Sequence, residues 1–424
     1  MRSPIPEYML EVLDDCRNTD GGTVADYIPE LARANPERLA VAIATPEGAL
    51  YSAGDDEVEF SIQSISKPFA YALALHDNGL EAVLAKIGVE PSGDAFNEIS
   101  LEDETGRPRN PMINAGAIAT HSLIHGGNWE ERAERFRRRV SILADRELQF
   151  DEAVFESEME TAHRNLAIGY MLRTVGILEN DPIDIVRGYI RQCSLTVTTR
   201  DLATMAATLA NGGVQPQTGR RVFDDLTVRQ VLSVMMTCGM YDAAGDWVTT
   251  VGIPAKSGVA GGVIGVLPGQ VGIAAFSPRL DEHGNSTRGV KVFERLSTDM
   301  GMHLMEVPPV AQAVLRGVSD RDGVAVFRLQ GSIRFSGAEA LLRAIVAHEL
   351  NDDGVVLDLS RVSGVSDVAR RMILEAVRRL VLHDGKRVML VDPDAMLSEP
   401  DAGEGVRPDV HPHLDDAIAA LRAQ

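Results

Sequence analysis

The sequence is 424 residues long, 45% hydrophobic and 24% charged, which suits two or three domains with real cores and excludes a disordered chain. Its 41 basic and 62 acidic residues leave a net charge of −21, which repels nucleic acid and anionic lipid over most of the surface, so neither is an expected partner. Three widely spaced cysteines (Cys16, Cys193, Cys238) and an N-terminus interrupted by Glu7, Glu11, Asp14 and Asp15 fit a cytoplasmic protein better than a secreted one with a disulfide framework.

In chain order, LAVAIAT and residues 49–53 flank Pro46-Glu47-Gly48, a strand, turn, strand signal. Ser64-Ile65-Ser66-Lys67 follows, and Pro68 suits the first turn of a helix running on through FAYALAL. Residues three apart share a helix face, so Lys67 can reach the Ser64 hydroxyl. Only five lysines occur (67, 86, 256, 291 and 386) beside 36 arginines, so a lysine in such a setting stands out. A serine becomes a nucleophile only when something takes its proton, and a lysine can do so once burial lowers its pKa from about 10.4. The free amides of a helix start also favour developing negative charge. The bland reading is a capping serine followed by a solvent-facing lysine.

The middle of the chain carries helical patterns, ERAERFRRRVSILADREL and DLATMAATLANGG, the second stopped by Gly212 and Gly213. His121 and His125 share a helix face at i, i+4 on the expected helical pattern, but no acid or cysteine pattern completes a metal site, so a structural role is expected and no metal or organic cofactor is called for. Residues 257 to 278 hold no formal charge over 22 positions, long enough for a membrane span. Six glycines and the central Pro268-Gly269-Gln270 point instead to two short buried strands joined by a turn. Lys256-Ser257-Gly258 opens this hairpin, and the order S-x-x-K then K-S-G resembles the penicillin-recognising serine enzymes, whose K-T-G strand lines the active site. The backbone N–H groups of Ser64 and Val259 could then share one carbonyl oxygen as an oxyanion hole. An antiparallel sheet built from both ends of residues 1–306, with helices between, gives an α+β domain.

Beyond Pro308-Pro309 the texture changes. VAVFRLQG, GVVLDLS and KRVMLVDP read as strands, 336–350 and 368–383 as helices, Asp401 to Asp409 as a loose loop, and 413–422 as a last helix. That alternation predicts a separate small α/β domain over 310–424.

The blocks VADYIP, QSISKP, EPSGDAFN, NPMINAGAI, RNLAIGY, MAATLANGG, CGMYD and PAKSGVAGG give a closer match. From Gly21 to Phe293 the chain resembles the serine-dependent glutaminases of the β-lactamase-like fold. The resemblance implies hydrolysis of L-glutamine to L-glutamate and ammonia, with Ser64 as nucleophile and Lys67 as its activating partner. It also implies that Tyr27, Gln63, Asn114, Glu158, Asn165, Tyr189, Tyr241 and Val259 surround the substrate. Glu158 can hold the substrate ammonium, Asn114 and Asn165 can donate to its carboxylate, and Tyr241 can pass a proton, so the base is Lys67 or Tyr241 at this point. Family members commonly associate, so a homo-oligomer is expected. Residues 310–424 resemble a STAS domain, with VVLDLSRVSGVSD running into VARRMILEAVRRL. Asp367, in Ser366-Asp367-Val368-Ala369, aligns where signalling members carry a phosphorylated serine, and Ser363 and Ser366 lie nearby. Its partner would be a protein or small molecule. The alternatives are a catalytically silent glutamine sensor signalling through the STAS domain, or a penicillin-recognising hydrolase.

Overall fold

The computed structural model describes residues 5–19, 21–93, 100–306, 314–321, 323–333, 335–348 and 354–423. The chain divides into two compact units, residues 1–306 and 307–424. The Pro308-Pro309 joint and residues 94–97 of EPSGDAFN lie outside the described residues.

The first unit is built on a five-stranded antiparallel sheet of β1 (Ala40–Ala44), β2 (Leu50–Gly54), β3 (Ala255–Ser257), β4 (Gly262–Leu267) and β5 (Val271–Phe276), in the order β2-β1-β5-β4-β3. The uncharged segment is therefore a buried hairpin, and no described helix is long and apolar enough to cross a membrane. Side chains alternate across a strand, so each face meets its own core. Val41, Ile43, Val263 and Ile273 pack with α1 (Ile5–Arg17) and α8 (Thr287–Met300). Ala42, Ala44, Ile264 and Ala274 face the helices between the hairpins. In chain order, the helices that matter to the site are α2 (Ser66–Asn78), α3 (Asn114–Ser122), α4 (Glu152–Glu160), α5 (His163–Thr174), α6 (Pro182–Cys193) and α7 (Thr199–Ala210). The last ends before Gly212 and Gly213, both at positive φ.

One expectation fails here. α3 stops at Ser122, so His125 lies beyond it and exposed, while His121 is fully buried, and the two do not share a helix face.

The second unit holds strands β6 (Leu315–Arg321), β7 (Val324–Ile333), β8 (Gly354–Val365), β9 (Arg387–Val391) and β10 (Asp409–His411), in the order β10-β9-β8-β7-β6. All neighbours are parallel except the edge pair β6 and β7. Helices α9 (Phe335–Ala347) and α10 (Asp367–Leu382) cover one face and α11 (Leu414–Arg422) the other. The helix expected over 336–350 ends its described part at Ala347, and residues 349 and 350 lie outside the described set.

Candidate active site

Ser64 lies in a 3₁₀ turn, Gln63–Ile65, that leads directly into α2, and it is 7% exposed. The helix start has Ile65 at the cap with no side-chain cap bond, and Lys67 is fully buried, so neither half of the bland reading holds. Gln63 and Tyr241 both take left-handed backbone angles, φ +50° and +56°, strain that non-glycine residues carry only where surrounding structure imposes it.

Six hydrogen bonds gather most of the expected residues. The Ser64 hydroxyl hydrogen-bonds the Tyr241 phenol, whose own proton goes to the Ser257 carbonyl at 3.1 Å. Lys67 Nζ donates to Asn114 Oδ1 at 2.7 Å, and Tyr189 donates to the same oxygen at 3.3 Å. That turns Asn114 Nδ2 toward Asn165 Oδ1, 3.1 Å away. Gln63 Nε2 donates to Glu158 Oε1 at 2.6 Å. Glu156 and Glu160, two residues to either side on α4, fall on the opposite face and are exposed, whereas the Glu158 carboxylate turns inward.

Val259 follows β3 and is 6% exposed, and among the described residues no acceptor takes its N–H. Gly258 makes this approach possible, since a Cβ there would sit 3.2 Å from the Ile62 carbonyl and 3.1 Å from the Ile65 side chain, in the turn that carries Ser64. Tyr27 is the peripheral member, 54% exposed and within electrostatic reach of Tyr241 and Glu158. A cavity of about 470 Å³ reaches the site through Tyr241, and another of about 280 Å³ through Tyr27 and Val259.

Burial sets the electrostatics. It lowers the Lys67 ammonium to about 8 and raises the Glu158 carboxyl to about 7, the latter against the opposing Gln63 hydrogen bond. It also raises the Tyr241 phenol, which stays protonated at neutral pH. Lys256, singled out in the sequence for its setting, is fully buried with Nζ over the Tyr241 ring (4.0 Å to the centroid) and 2.7 Å from the Ser257 carbonyl. Burial, then the nearby Lys67, pushes its pKa well down. Cys193 was not expected at the site, yet its thiol is within electrostatic reach of Lys67 and Glu158 and is pushed up to about 12 by burial. A cysteine at the end of an amphipathic helix gives no sequence signal of which pocket it faces.

Comparison with known proteins assigns a family model, Glutaminase, to residues 22–305 and a second, STAS domain, to residues 318–400. The glutaminase of Corynebacterium glutamicum is 54% identical over 399 residues, which span 93% of this chain and 96% of that protein. Among solved structures, Mglu superposes with a TM-score of 0.84 at 50% identity, covering 93% of this chain and 100% of that one. Mglu in its glutamate form matches with a TM-score of 0.83 at 46% identity, over 93% of this chain and 100% of that one.

Proposed function

The chain belongs to the glutaminase family and hydrolyses L-glutamine to L-glutamate and ammonia, and from that premise we propose that hydrolysis proceeds through an acyl-enzyme on Ser64. The observation that carries this reading is the full burial of Lys67 three residues after a buried serine, with its pKa lowered to about 8. Burial therefore makes the neutral form of Lys67 far more available at neutral pH than it is for a solvated lysine. Lys67 is the better base of the two candidates. Tyr241 keeps its own proton on a backbone carbonyl, so it can take the Ser64 proton only by giving that one up.

In the first step the Ser64 oxygen bonds to the side-chain amide carbon, its proton passes to Lys67, and the oxyanion rests on the Ser64 and Val259 amides. The C–N bond then breaks as ammonia leaves with a proton returned from Lys67 through Tyr241. Water, deprotonated by the same groups, attacks the ester, and glutamate departs as Ser64 regains its proton. The ionised Glu158 holds the substrate ammonium and Asn165 meets its carboxylate, with Asn114, Tyr189, Gln63 and Tyr27 completing the walls. A 46%-identical relative solved in its glutamate form supports a pocket of this chemistry.

We further propose that the chain works as a cytoplasmic homo-oligomer whose second unit binds a protein or small-molecule partner. Three buried free cysteines support the reducing compartment. Sedimentation of the full chain tests the assembly. The catalytic proposal is tested by ammonia and glutamate release from L-glutamine, with L-asparagine as control substrate. Turnover lost in Ser64→Ala supports the serine route, and turnover kept by that variant contradicts it.

A further inference from the structure

Behind the site, three helices that carry its residues meet at one side chain the mechanism does not use. Gln192, in the last turn of α6, is fully buried. Its Nε2 donates to Ser66 Oγ at 3.0 Å, and its Oε1 lies 2.9 Å from His121 Nδ1. Ser66 and His121 are also fully buried. An amide oxygen only accepts, so His121 Nδ1 carries the proton. His121 Nε2 is then an acceptor with no partner among the described residues, packed on Gly188 so closely that a Cβ there would come within 2.3 Å of it. Burial lowers this imidazole to about 4, so it is neutral throughout the working range.

The partners matter because of what sits beside them. Ser66 lies between Ser64 and Lys67 in the chain. His121 is on α3, whose first residue is Asn114, the acceptor for Lys67. Gln192 itself follows Tyr189 by three residues on α6, and Tyr189 donates to that same Asn114 oxygen. Cys193 lies within hydrogen-bonding reach of both Ser66 and Tyr189, which closes the loop between α2 and α6.

We propose that Gln192 is a positioning residue for the reaction: by tying Ser66 of α2 and His121 of α3 to α6, it fixes the Lys67, Asn114 and Tyr189 side chains against one another. An amide cannot relay a proton as a hydroxyl or imidazole can, so the connection acts on geometry and not as a proton path. A buried amide with both ends engaged is suited to that, since removing either partner strands a polar group. The inference rests on the acyl-enzyme reading, because it assumes that the geometry around Lys67 limits turnover.

The experiment compares Ser66→Ala, Gln192→Met and the double variant in the full chain, with Ser64→Ala alongside, recording kcat, KM, the pH profile of kcat and the melting midpoint. We expect Ser66→Ala to lower kcat about tenfold and Gln192→Met about thirtyfold, with KM for glutamine changed less than about threefold. The double variant should be no slower than Gln192→Met, and the pH at which kcat rises should move in all three. A folded Gln192→Met with wild-type kcat and pH profile overturns the proposal, as do effects that multiply in the double variant. If Gln192→Met fails to fold, Ser66→Ala decides: a lowered kcat with a shifted pH profile supports the proposal, and an unchanged kcat overturns it. Turnover kept by Ser64→Ala would overturn both this inference and the acyl-enzyme reading, whereas an inactive Ser64→Ala beside a wild-type-like Gln192→Met overturns this one alone.

Discussion

Each unit of the chain opens a helix beside a serine, and the two openings do opposite work. At Ser366 the serine is the cap: exposed, with its hydroxyl accepting from the Ala369 N–H at 3.4 Å, and followed by an exposed Asp367 in the first turn of α10. An acid there is favoured by the helix dipole with nothing further required. At Ser64 the serine precedes an uncapped helix, its hydroxyl engages a tyrosine, and the charged residue of the first turn is a lysine with no exposure at all. A cation buried at the positive end of a helix is unfavourable for stability, which is what a site selected for reactivity tolerates and a surface turn does not.

The contrast breaks most visibly if the serines are removed. Ser64→Ala should lower kcat by about a thousandfold or more in ammonia-release assays, with the melting midpoint little changed, while Ser366→Ala should leave kcat at the wild-type value.

Lys67→Met should be comparably inactive and yet melt higher at pH 7. The unfolded chain keeps the lysine proton to about 10.5 and the native chain only to about 8. Stability therefore rises with pH between those values, and the advantage of the methionine variant should shrink across the same window in melts at successive pH values.

A smaller effect is expected at Glu158. Its carboxyl must be ionised to hold an ammonium, so kcat/KM should climb as pH rises through about 7, and Glu158→Gln should raise KM about a hundredfold and flatten that climb. Stability runs the other way. The native carboxyl keeps its proton to about 7 where the unfolded one loses it near 4.5, so the substrate-free enzyme should lose stability over that range and the glutamine variant should not. The smallest effect belongs to the second unit, where Ser366→Ala should cost about 0.5 kcal/mol of stability, read from denaturant melts, because its cap bond is long.

The same contrast explains what the sequence made legible. The inner strands of the first sheet were readable because both their faces are buried, which leaves apolar runs such as AVAIA and VGIAAF bounded by turn residues. β6 was not, because LRGVSDR is an edge strand whose exposed positions carry charges and break the apolar alternation. β10 is three residues long, too short to carry a period. At the site, the family blocks named residues that the fold brings into contact, and S-x-x-K spacing alone suggested that Lys67 meets Ser64. Nothing local separated Glu158 from Glu156 and Glu160, because inward or outward depends on which way α4 is turned. Gln192 was invisible for a related reason, since its partners lie on helices more than 70 residues earlier in the chain. The pairing of His121 with His125 misled because the helix ends between them, at a Ser122-Leu123 boundary with no glycine or proline to mark it.

On the acyl-enzyme reading, the glutamyl group left after ammonia departs is carried for part of each cycle as an ester on Ser64. The most direct test of that reading is rapid acid quenching of the full chain during L-glutamine turnover, followed by mass analysis of its peptides. A glutamyl group on the peptide containing Ser64, absent from Ser64→Ala, is the predicted result. Steady turnover by a Ser64→Ala chain, or a glutamyl group on any other residue, would contradict it.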